Sequence, residues 1–154
     1  MRTNADFSRR SVLAGLFLIS AAGTMAAQRP SVEVWKDPTC GCCKDWIAHL
    51  EKSGFDVDIH ETGNDAARSR LGIPARLGSC HTAKVNGYAI EGHVPAKEIK
   101  RILRERPNAI GLAVPGMPVG SPGMDGVVYN GRKDPYDVLL VLQDKSTSVY
   151  QKYR

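Results

Sequence analysis

Three of the four cysteines in this 154-residue chain lie within four consecutive positions, Cys40 to Cys43. Four cysteines are too few to build a disulfide framework for a chain of this length, whereas a tight group is typical of a reactive or metal-binding site. The group also follows a predicted strand and precedes a predicted helix, so it restricts the fold as well as the chemistry.

The residues around this group predict a strand, a turn and a helix. Ser31–Trp35 alternates polar and apolar side chains, which predicts a strand, and the Asp37-Pro38-Thr39 sequence ends it. Thr39 is the predicted N-cap of the helix that follows, and Ser53-Gly54 ends that helix. The apolar face of this helix, at helical spacing, consists of Cys43, Trp46, Ile47 and Leu50.

The downstream sequence continues the alternation of strands and helices. Its patterns predict a strand at 55–60, a short helix at 64–71, strands at 80–85 and 88–91, and a helix that begins with Pro95 at N1 and ends before Pro107. Asn86-Gly87 is a strong signal for a hairpin turn. The first two strands flank a helix and are expected to pair in parallel. The predicted order, β-α-β-α-β-β-α, is an α/β fold of the thioredoxin-like type.

Residues 1–27 are predicted to be an export signal. Their basic start, which includes Arg9-Arg10, is followed by a mildly apolar stretch at 12–22 and by small residues suited to cleavage near 26–28. The apolar stretch is too short to span a bilayer, which requires about 20 residues. The paired arginines resemble the twin-arginine export pattern, and the sequence leaves the twin-arginine and general secretory routes open. We therefore expect an exported protein with no membrane span in its mature part.

The mature chain is predicted to have two parts, a thioredoxin-like domain over 28–108 and a C-terminal extension over 109–154. The extension contains two strand-like stretches, 138–142 and 148–153, which can pair with each other, extend the sheet or dock a partner. The net charge of +5 for the whole chain includes +2 from the predicted signal. The remaining positive charge is too small and too scattered to indicate a nucleic-acid partner. A monomer is the default expectation.

Each cysteine of the group has a distinct predicted role. Cys40 lies at the exposed start of the helix, where unpaired backbone N–H groups and the helix dipole favour its thiolate. Cys43, three residues later, can resolve a disulfide with Cys40 or serve as a second metal ligand. Cys42 is superfluous in a dithiol exchange pair but adds a thiolate to a multi-sulfur metal site. The pattern therefore favours metal binding, with Cys40 and Cys43 as the catalytic, redox-active pair.

Further candidate donors occur later in the chain. Cys80 and His81 stand at the start of a predicted strand, and we interpret both as metal ligands. Met117 and Met124 lie in a proline-rich loop, where they are either thioether ligands or core packing. His93 is predicted either to orient a ligand or simply to precede a helix. The residues predicted to lie outside the ligand set are His49, expected to be solvated, and His60, on the polar face of a strand. Three carboxylates could reach the cluster as acceptors but are expected to be structural: Asp37, Glu91 and Asp125.

Four separate segments carry a resemblance to a known family. They read CGCCKDW at 40–46, SCHTA at 79–83, EGHVPA at 91–96 and GLAVPGMPVGSPGM at 111–124. In this order, the four motifs resemble the CopG-type periplasmic copper proteins, thioredoxin-like proteins long classed as a metal-binding domain of unknown function. The resemblance extends from Trp35 to Asp125, and the tail after Gly126 carries no matching motif.

The resemblance implies a thioredoxin-like fold whose C-terminal extension joins the cysteines around a cluster of several copper ions. The implied ligands are Cys40, Cys42, Cys43, Cys80, His81, Met117 and Met124. The implied task is copper resistance in the periplasm through interconversion of Cu(I) and Cu(II), which makes the protein a candidate copper oxidoreductase. Its implied partners are copper ions and a copper efflux system or a periplasmic copper carrier.

Three alternatives stay open at this point. The first is a metal-free thiol–disulfide oxidoreductase in which Cys40 attacks and Cys43 resolves, although Cys42, Cys80 and the methionines have no role in that chemistry. The second is a chaperone or store that passes Cu(I) on without changing its oxidation state. The third is a structural zinc site, for which methionine is a poor ligand.

Overall fold

One mixed sheet organises the part of the chain that the structure describes, which is residues 28–154 of a computed structural model. The strands and helices, in chain order, are β1 (Ser31–Lys36), α1 (Gly41–Lys52), β2 (Asp56–His60), α2 (Asp65–Arg70), β3 (His81–Val85), β4 (Tyr88–Glu91), α3 (Ala96–Glu105), β5 (Ala109–Ala113), β6 (Tyr136–Leu142) and β7 (Thr147–Tyr153). Two short 3₁₀ turns occur at Ala75–Leu77 and Val127–Tyr129. The α/β class and the predicted order β-α-β-α-β-β-α, through α3, are confirmed.

The seven strands lie in the order β2-β1-β3-β4-β5-β6-β7. β1 and β2 pair in parallel across α1, as the sequence predicts, because a helical crossover returns the chain to the same end of the sheet. β3 pairs antiparallel with β1 and with β4, and Asn86 and Gly87 form the turn between β3 and β4 with positive φ angles of 45° and 87°. The hairpin prediction is therefore confirmed.

Two helix starts differ from the predictions by one residue. Cys40, not Thr39, is the N-cap of α1, with an extended backbone at φ −68° and ψ 99°. The Thr39 hydroxyl and backbone N–H both donate to Asp37 Oδ1, so the polar groups of Thr39 close the preceding turn instead of capping the helix. Pro95 is likewise the N-cap of α3 and not its first helical residue, because its ψ of 140° is extended.

The helix α1 is anchored on the sheet by the apolar face predicted for it. Cys43, Trp46, Ile47 and Leu50 are all buried, and Trp46 Nε1 donates to the carbonyl oxygen of Val94 at 2.9 Å. Burial of a large apolar side chain of this kind contributes about 1.5–3 kcal/mol to stability. The core around them includes Val32, Val34, Phe55, Ile99 and Ile102. This packing holds the first turn of α1, and with it the cysteine group, in a defined place.

The strand β5 is absent from the sequence predictions. It pairs in parallel with β4 and antiparallel with β6. A Cβ atom on Gly111 would lie 1.7 Å from the carbonyl oxygen of Ala89, so the close approach of β4 and β5 requires glycine there. A glycine inside a short apolar run weakens the strand pattern, which is why the sequence did not reveal it.

The C-terminal residues extend the same sheet. Of the roles considered for the two strand-like stretches, the structure shows pairing with each other and extension of the sheet, since β6 joins β5 and β7 forms the edge. The division into 28–108 and 109–154 stays a prediction. Between residues 28 and 154, none of the helices has the length and hydropathy needed to cross a bilayer. The predicted export signal, 1–27, lies outside the described residues.

Candidate metal centre

The four cysteine sulfurs converge at the end of the sheet where β1 finishes and β3 begins. Cys40 and Cys43 form a disulfide, with their Cα atoms 5.4 Å apart. Cys42 Sγ lies 3.6 Å from Cys40 Sγ and 3.8 Å from Cys80 Sγ. The four sulfur atoms all lie within 4.8 Å of one another, which suits shared coordination of a metal ion. The structure therefore brings together the four cysteines selected from the sequence.

The register of β1 and β3 explains this convergence. Lys36, the last residue of β1, lies opposite His81, the first residue of the antiparallel strand β3. The residues that follow β1 and the residue that precedes β3 therefore meet at the same end of these two strands. Cys43 Sγ lies 3.6 Å from the carbonyl oxygen of Cys80, so the start of α1 is in direct contact with the start of β3.

Two buried histidines face Cys80 from the other side. His93 Nε2 lies 3.0 Å and His81 Nδ1 lies 3.4 Å from Cys80 Sγ, and neither histidine is exposed to solvent. His93 Nδ1 is 2.8 Å from the carbonyl oxygen of Pro122. A carbonyl can only accept, so Nδ1 of His93 carries the proton and Nε2 presents its lone pair to Cys80. Cys80, His81 and His93 thus form a second donor set.

Burial sets the protonation states of this second set. It lowers the pKa of His81 well below its ordinary value and is also the main cause that lowers the pKa of His93. Both rings are therefore neutral at neutral pH, which is the form that binds metals. Burial, together with the nearby Cys42, raises the pKa of Cys80 to about 12. A metal ion at this thiol must therefore displace a proton.

His81 has one ring nitrogen that lacks a hydrogen-bond partner. Its Nε2 atom is buried and unpaired within residues 28–154, and the ring packs against Trp46 with centroids 4.2 Å apart. The other nitrogen, Nδ1, is the one that faces Cys80. Packing against Trp46 therefore fixes which nitrogen of His81 points toward the sulfurs.

The two loop methionines have different surroundings. Met117 Sδ lies 3.9 Å from Cys42 Sγ, and its side chain is half exposed. Met124 Sδ instead accepts a hydrogen bond of 3.4 Å from the Tyr129 hydroxyl. Gly123 packs on the first turn of α1, because a Cβ atom there would lie 2.6 Å from the carbonyl oxygen of Cys42. The loop is thus held against the site at Pro122 and Gly123, and it presents Met117 to the cysteines.

Sequence reasoning understated two histidines. It gave His93 at most an orienting role, yet His93 Nε2 is in direct contact with Cys80 Sγ. Its position in the sequence could have indicated this contact. His93 lies two residues after β4, and β4 ends beside the start of its antiparallel partner β3. The expectation that His49 is simply solvated is wrong. His49 is half-buried, and its Nε2 atom accepts a hydrogen bond of 3.1 Å from the backbone N–H of Ala96 at the start of α3.

The donor chemistry of the centre suits copper. Thiolates and the Met117 thioether are soft donors that favour Cu(I), and imidazole accepts copper in either oxidation state. Reduction of the Cys40–Cys43 disulfide makes all four sulfurs available as ligands. Cys80 is the residue that the two donor sets share.

Fold and site together define an α/β protein with a cysteine-rich centre able to bind metal. Residues 77–124 match the family described as "Protein of unknown function, DUF411". A solved structure described as "Copper resistance protein copG- Form 2" is 48% identical, with a TM-score of 0.75, over 82% of this chain and 99% of that chain. A second, "Copper resistance protein copG- Form 1", is also 48% identical, with a TM-score of 0.73, over 80% of this chain and 96% of that chain.

The chain therefore belongs to the CopG copper-resistance family, which confirms the resemblance found in its four motifs. No curated protein matches the chain. The family and the cysteine cluster together indicate a function related to copper.

Proposed function

We propose that this protein binds several copper ions as its substrate and interconverts Cu(I) and Cu(II) in copper resistance. The observation that carries the proposal is the position of Cys80, which is shared by a four-sulfur set and by a set with two imidazoles. One thiolate common to two donor sets supports a centre with several ions rather than a single closed site. The proposed ligands are Cys40, Cys42, Cys43, Cys80, His81 and Met117, with His93 as an additional donor and Met124 as a weaker candidate.

The Cys40–Cys43 pair is the proposed source of electrons. When two thiolates join as a disulfide they release two electrons, which reduce two Cu(II) ions to two Cu(I) ions. Reduction of the disulfide by an external thiol restores both thiolates. Cys40 suits this role because it stands at the N-cap of α1, where backbone N–H groups favour a thiolate.

The proposed setting is the periplasm, with delivery of Cu(I) to a copper efflux system or a periplasmic carrier. Met117 supports such transfer because it is half exposed beside Cys42. A soft donor at the surface provides a first or last ligand for an ion that enters or leaves by ligand exchange.

The first experiment is anaerobic loading of the reduced protein with Cu(I), followed by desalting and by counts of copper and of free thiols. We expect several retained copper ions per chain and no free thiol, since all four cysteines lie in the cluster. Stopped-flow reduction of Cu(II) by the dithiol protein then tests the redox step. The proposal fails if no copper is retained.

Cys42→Ser is the matched variant for this measurement. Cys42 Sγ lies between Cys40 Sγ at 3.6 Å and Cys80 Sγ at 3.8 Å, so its loss should lower the number of bound ions. The circular dichroism spectrum should be unchanged, because Cys42 is not one of the buried residues of α1. An unchanged copper count would remove Cys42 from the proposed ligands.

A metal-free thiol–disulfide oxidoreductase is the second candidate function. The Cys40–Cys43 disulfide at the start of α1 favours it. The distinguishing assay is reduction of a protein disulfide by the metal-free dithiol form. Turnover without copper, together with no copper retention, would establish this second function in place of the first.

A further inference from the structure

An ion pair between a buried carboxylate and a partly exposed arginine lies next to the candidate metal centre but contributes no donor to it. The Glu91 side chain is fully buried, and its carboxylate accepts a hydrogen bond of 2.8 Å from Arg68 Nε. Arg68 belongs to α2 and Glu91 ends β4, so the pair joins two separate elements. The sequence predicts only a structural role for the Glu91 carboxylate, and its contacts indicate a more specific one.

The Glu91 carboxylate bonds to a residue on each side of Cys80 and His81. Besides Arg68, it accepts from the backbone N–H of Ser79 at 2.7 Å and from the Thr82 hydroxyl at 2.6 Å. Ser79 precedes Cys80 directly, and Thr82 follows His81. A single side chain thus restrains the short segment that carries two of the proposed ligands.

Ser79 is held from its other side as well. Its carbonyl oxygen accepts from Arg68 Nη2 at 2.8 Å and from Asn64 Nδ2 at 3.1 Å, and its hydroxyl donates to the carbonyl oxygen of Gly116. The N–H, the carbonyl and the hydroxyl of Ser79 are therefore all engaged. Since Gly116 precedes Met117, this network also reaches the loop that carries the methionine.

The residue after Glu91 allows the two segments to touch. Gly92 has a φ of +70°, and a Cβ atom there would lie 2.6 Å from Ser79 Cβ and 2.5 Å from the carbonyl oxygen of Val114. Only glycine fits this contact. His93 follows at once, so the segment that restrains Cys80 is continuous with the histidine that faces it at 3.0 Å.

A contribution to stability does not by itself account for this arrangement. A buried carboxylate is costly to desolvate even when it is paired, and well-packed apolar residues often stabilise a fold equally well. The bonds converge on Ser79 and Thr82, beside the shared donor Cys80. Groups that lie just outside the ligands of metal sites commonly orient those ligands in this way.

We propose that Glu91, held by Arg68, is a positioning residue that fixes Cys80 against His93 and thereby sets the copper affinity of the centre. The inference rests on the proposed copper function for its affinity readout, and a metal-free readout tests it separately. Its two consequences are a preformed Cys80–His93 pair and restricted access of reagents to the partly buried Cys80 thiol in the reduced protein.

Glu91→Gln tests the proposal, because it preserves side-chain volume but removes the charge and at least one acceptor. We expect Cu(I) affinity, measured by competition with a chromophoric chelator, to fall by about 10- to 100-fold, as for other residues that orient metal ligands. Copper X-ray absorption should show fewer nitrogen neighbours, because Cys80 and His93 are no longer aligned. Circular dichroism checks that the variant is folded.

Glu98→Gln is the matched control. Glu98 is also buried, accepts from the Tyr153 hydroxyl at 3.0 Å and lies 3.8 Å from Arg101, and these partners are outside the metal centre. We expect it to leave copper affinity and the absorption spectrum unchanged. Equal effects of both variants, or no effect of Glu91→Gln, would overturn the positioning role.

The metal-free readout is the alkylation rate of Cys80 in the reduced protein, followed by mass spectrometry. Glu91→Gln should raise this rate several-fold, and Glu98→Gln should not. If the parent protein retains no copper, the proposed function fails, while the alkylation rates still decide the positioning role. If Glu91→Gln does not fold, Arg68→Lys replaces it. Arg68→Lys keeps the charge but cannot preserve the guanidinium bonds to both Glu91 and the Ser79 carbonyl, so unchanged affinity and alkylation would contradict the proposal.

Discussion

The two halves of the candidate centre differ in solvent exposure and in the contacts that fix their side chains. We call Cys40, Cys42, Cys43 and Met117 the open half, and His81 and His93 the closed half. In the open half, Met117 is half exposed and Cys40 and Cys42 are partly exposed, while Cys43, which is disulfide-bonded to Cys40, is buried. The closed half is fully buried, with His81 against Trp46 and His93 hydrogen-bonded to Pro122.

This difference in exposure suits the two halves to different roles in metal binding. Partly exposed groups such as Cys40, Cys42 and Met117 can change ligands without disturbing the core, whereas buried rings keep one geometry and one protonation state. Cys80 joins the halves, since its sulfur contacts Cys42 at 3.8 Å and His93 at 3.0 Å. Under the proposed function, ions and electrons would pass through the open half, and the closed half would hold copper in place.

Cys80→Ser should have the largest effect, because it removes the donor common to both halves. We expect Cu(I) affinity to fall by more than the roughly 100-fold upper range for residues that only orient ligands. The measurement is chelator competition on the reduced protein. A loss no greater than that of Cys42→Ser would show that the two halves do not depend on a shared sulfur.

His93→Gln should affect the closed half alone. We expect fewer copper ions per chain, and the Cu(II) electron paramagnetic resonance spectrum should lose nitrogen coupling, because Nε2 of His93 is a proposed donor beside Cys80. The Cys40–Cys43 pair should still cycle between dithiol and disulfide. An unchanged nitrogen signal would show that His93 acts only on the structure of the site.

Met117→Leu and Met124→Leu form a matched pair that tests the edge of the open half. Leucine preserves volume and removes the thioether. Met117→Leu should lower Cu(I) affinity by less than about 10-fold, below the effect of residues that orient ligands. Met124→Leu should have a smaller effect, because Met124 Sδ contacts the Tyr129 hydroxyl instead of Cys42. The reverse ranking would contradict the arrangement of the loop.

His49→Gln should have the smallest effect of these substitutions. It should leave copper affinity unchanged, because the half-buried His49 belongs to neither half of the centre, and it should change only the pH dependence of stability. Burial is the main cause that lowers the pKa of His49, followed by Asp125, which raises it, and Lys52, which lowers it. The folded protein therefore binds fewer protons at His49 than the unfolded chain, and stability falls as the pH drops below about 6.5. Protonation also costs the Ala96 hydrogen bond, which is worth about 1 kcal/mol.

Urea unfolding at pH 7.5 and at pH 5.5 measures this contribution. The parent protein should lose more stability between these pH values than His49→Gln, because glutamine accepts a hydrogen bond but does not titrate in this range. Equal losses would show that His49 does not contribute to the acid sensitivity. A change in copper affinity would place His49 functionally within the centre.

The sequence patterns were most informative where local periodicity decides structure. The apolar spacing from Cys43 to Leu50 predicted α1, and Asn86-Gly87 predicted the β3–β4 hairpin. The sequence patterns did not predict β5, because a glycine interrupts its apolar run. Gly111 is required there by the close backbone of Ala89, which belongs to another strand. The patterns also failed at Thr39, where a local bond to Asp37 replaced the helix cap.

Local sequence by itself determined the chemical inventory of this protein: a cysteine group at the start of a helix, a Cys-His pair at the start of a strand and methionines in a proline-rich loop. These features follow from neighbours along the chain. Only the tertiary structure decided that Cys80 joins two donor sets, that His93 faces it, and that Met117 rather than Met124 meets the cysteines. These contacts join residues 13 to 75 positions apart, and strand register and loop packing, not local spacing, bring them together.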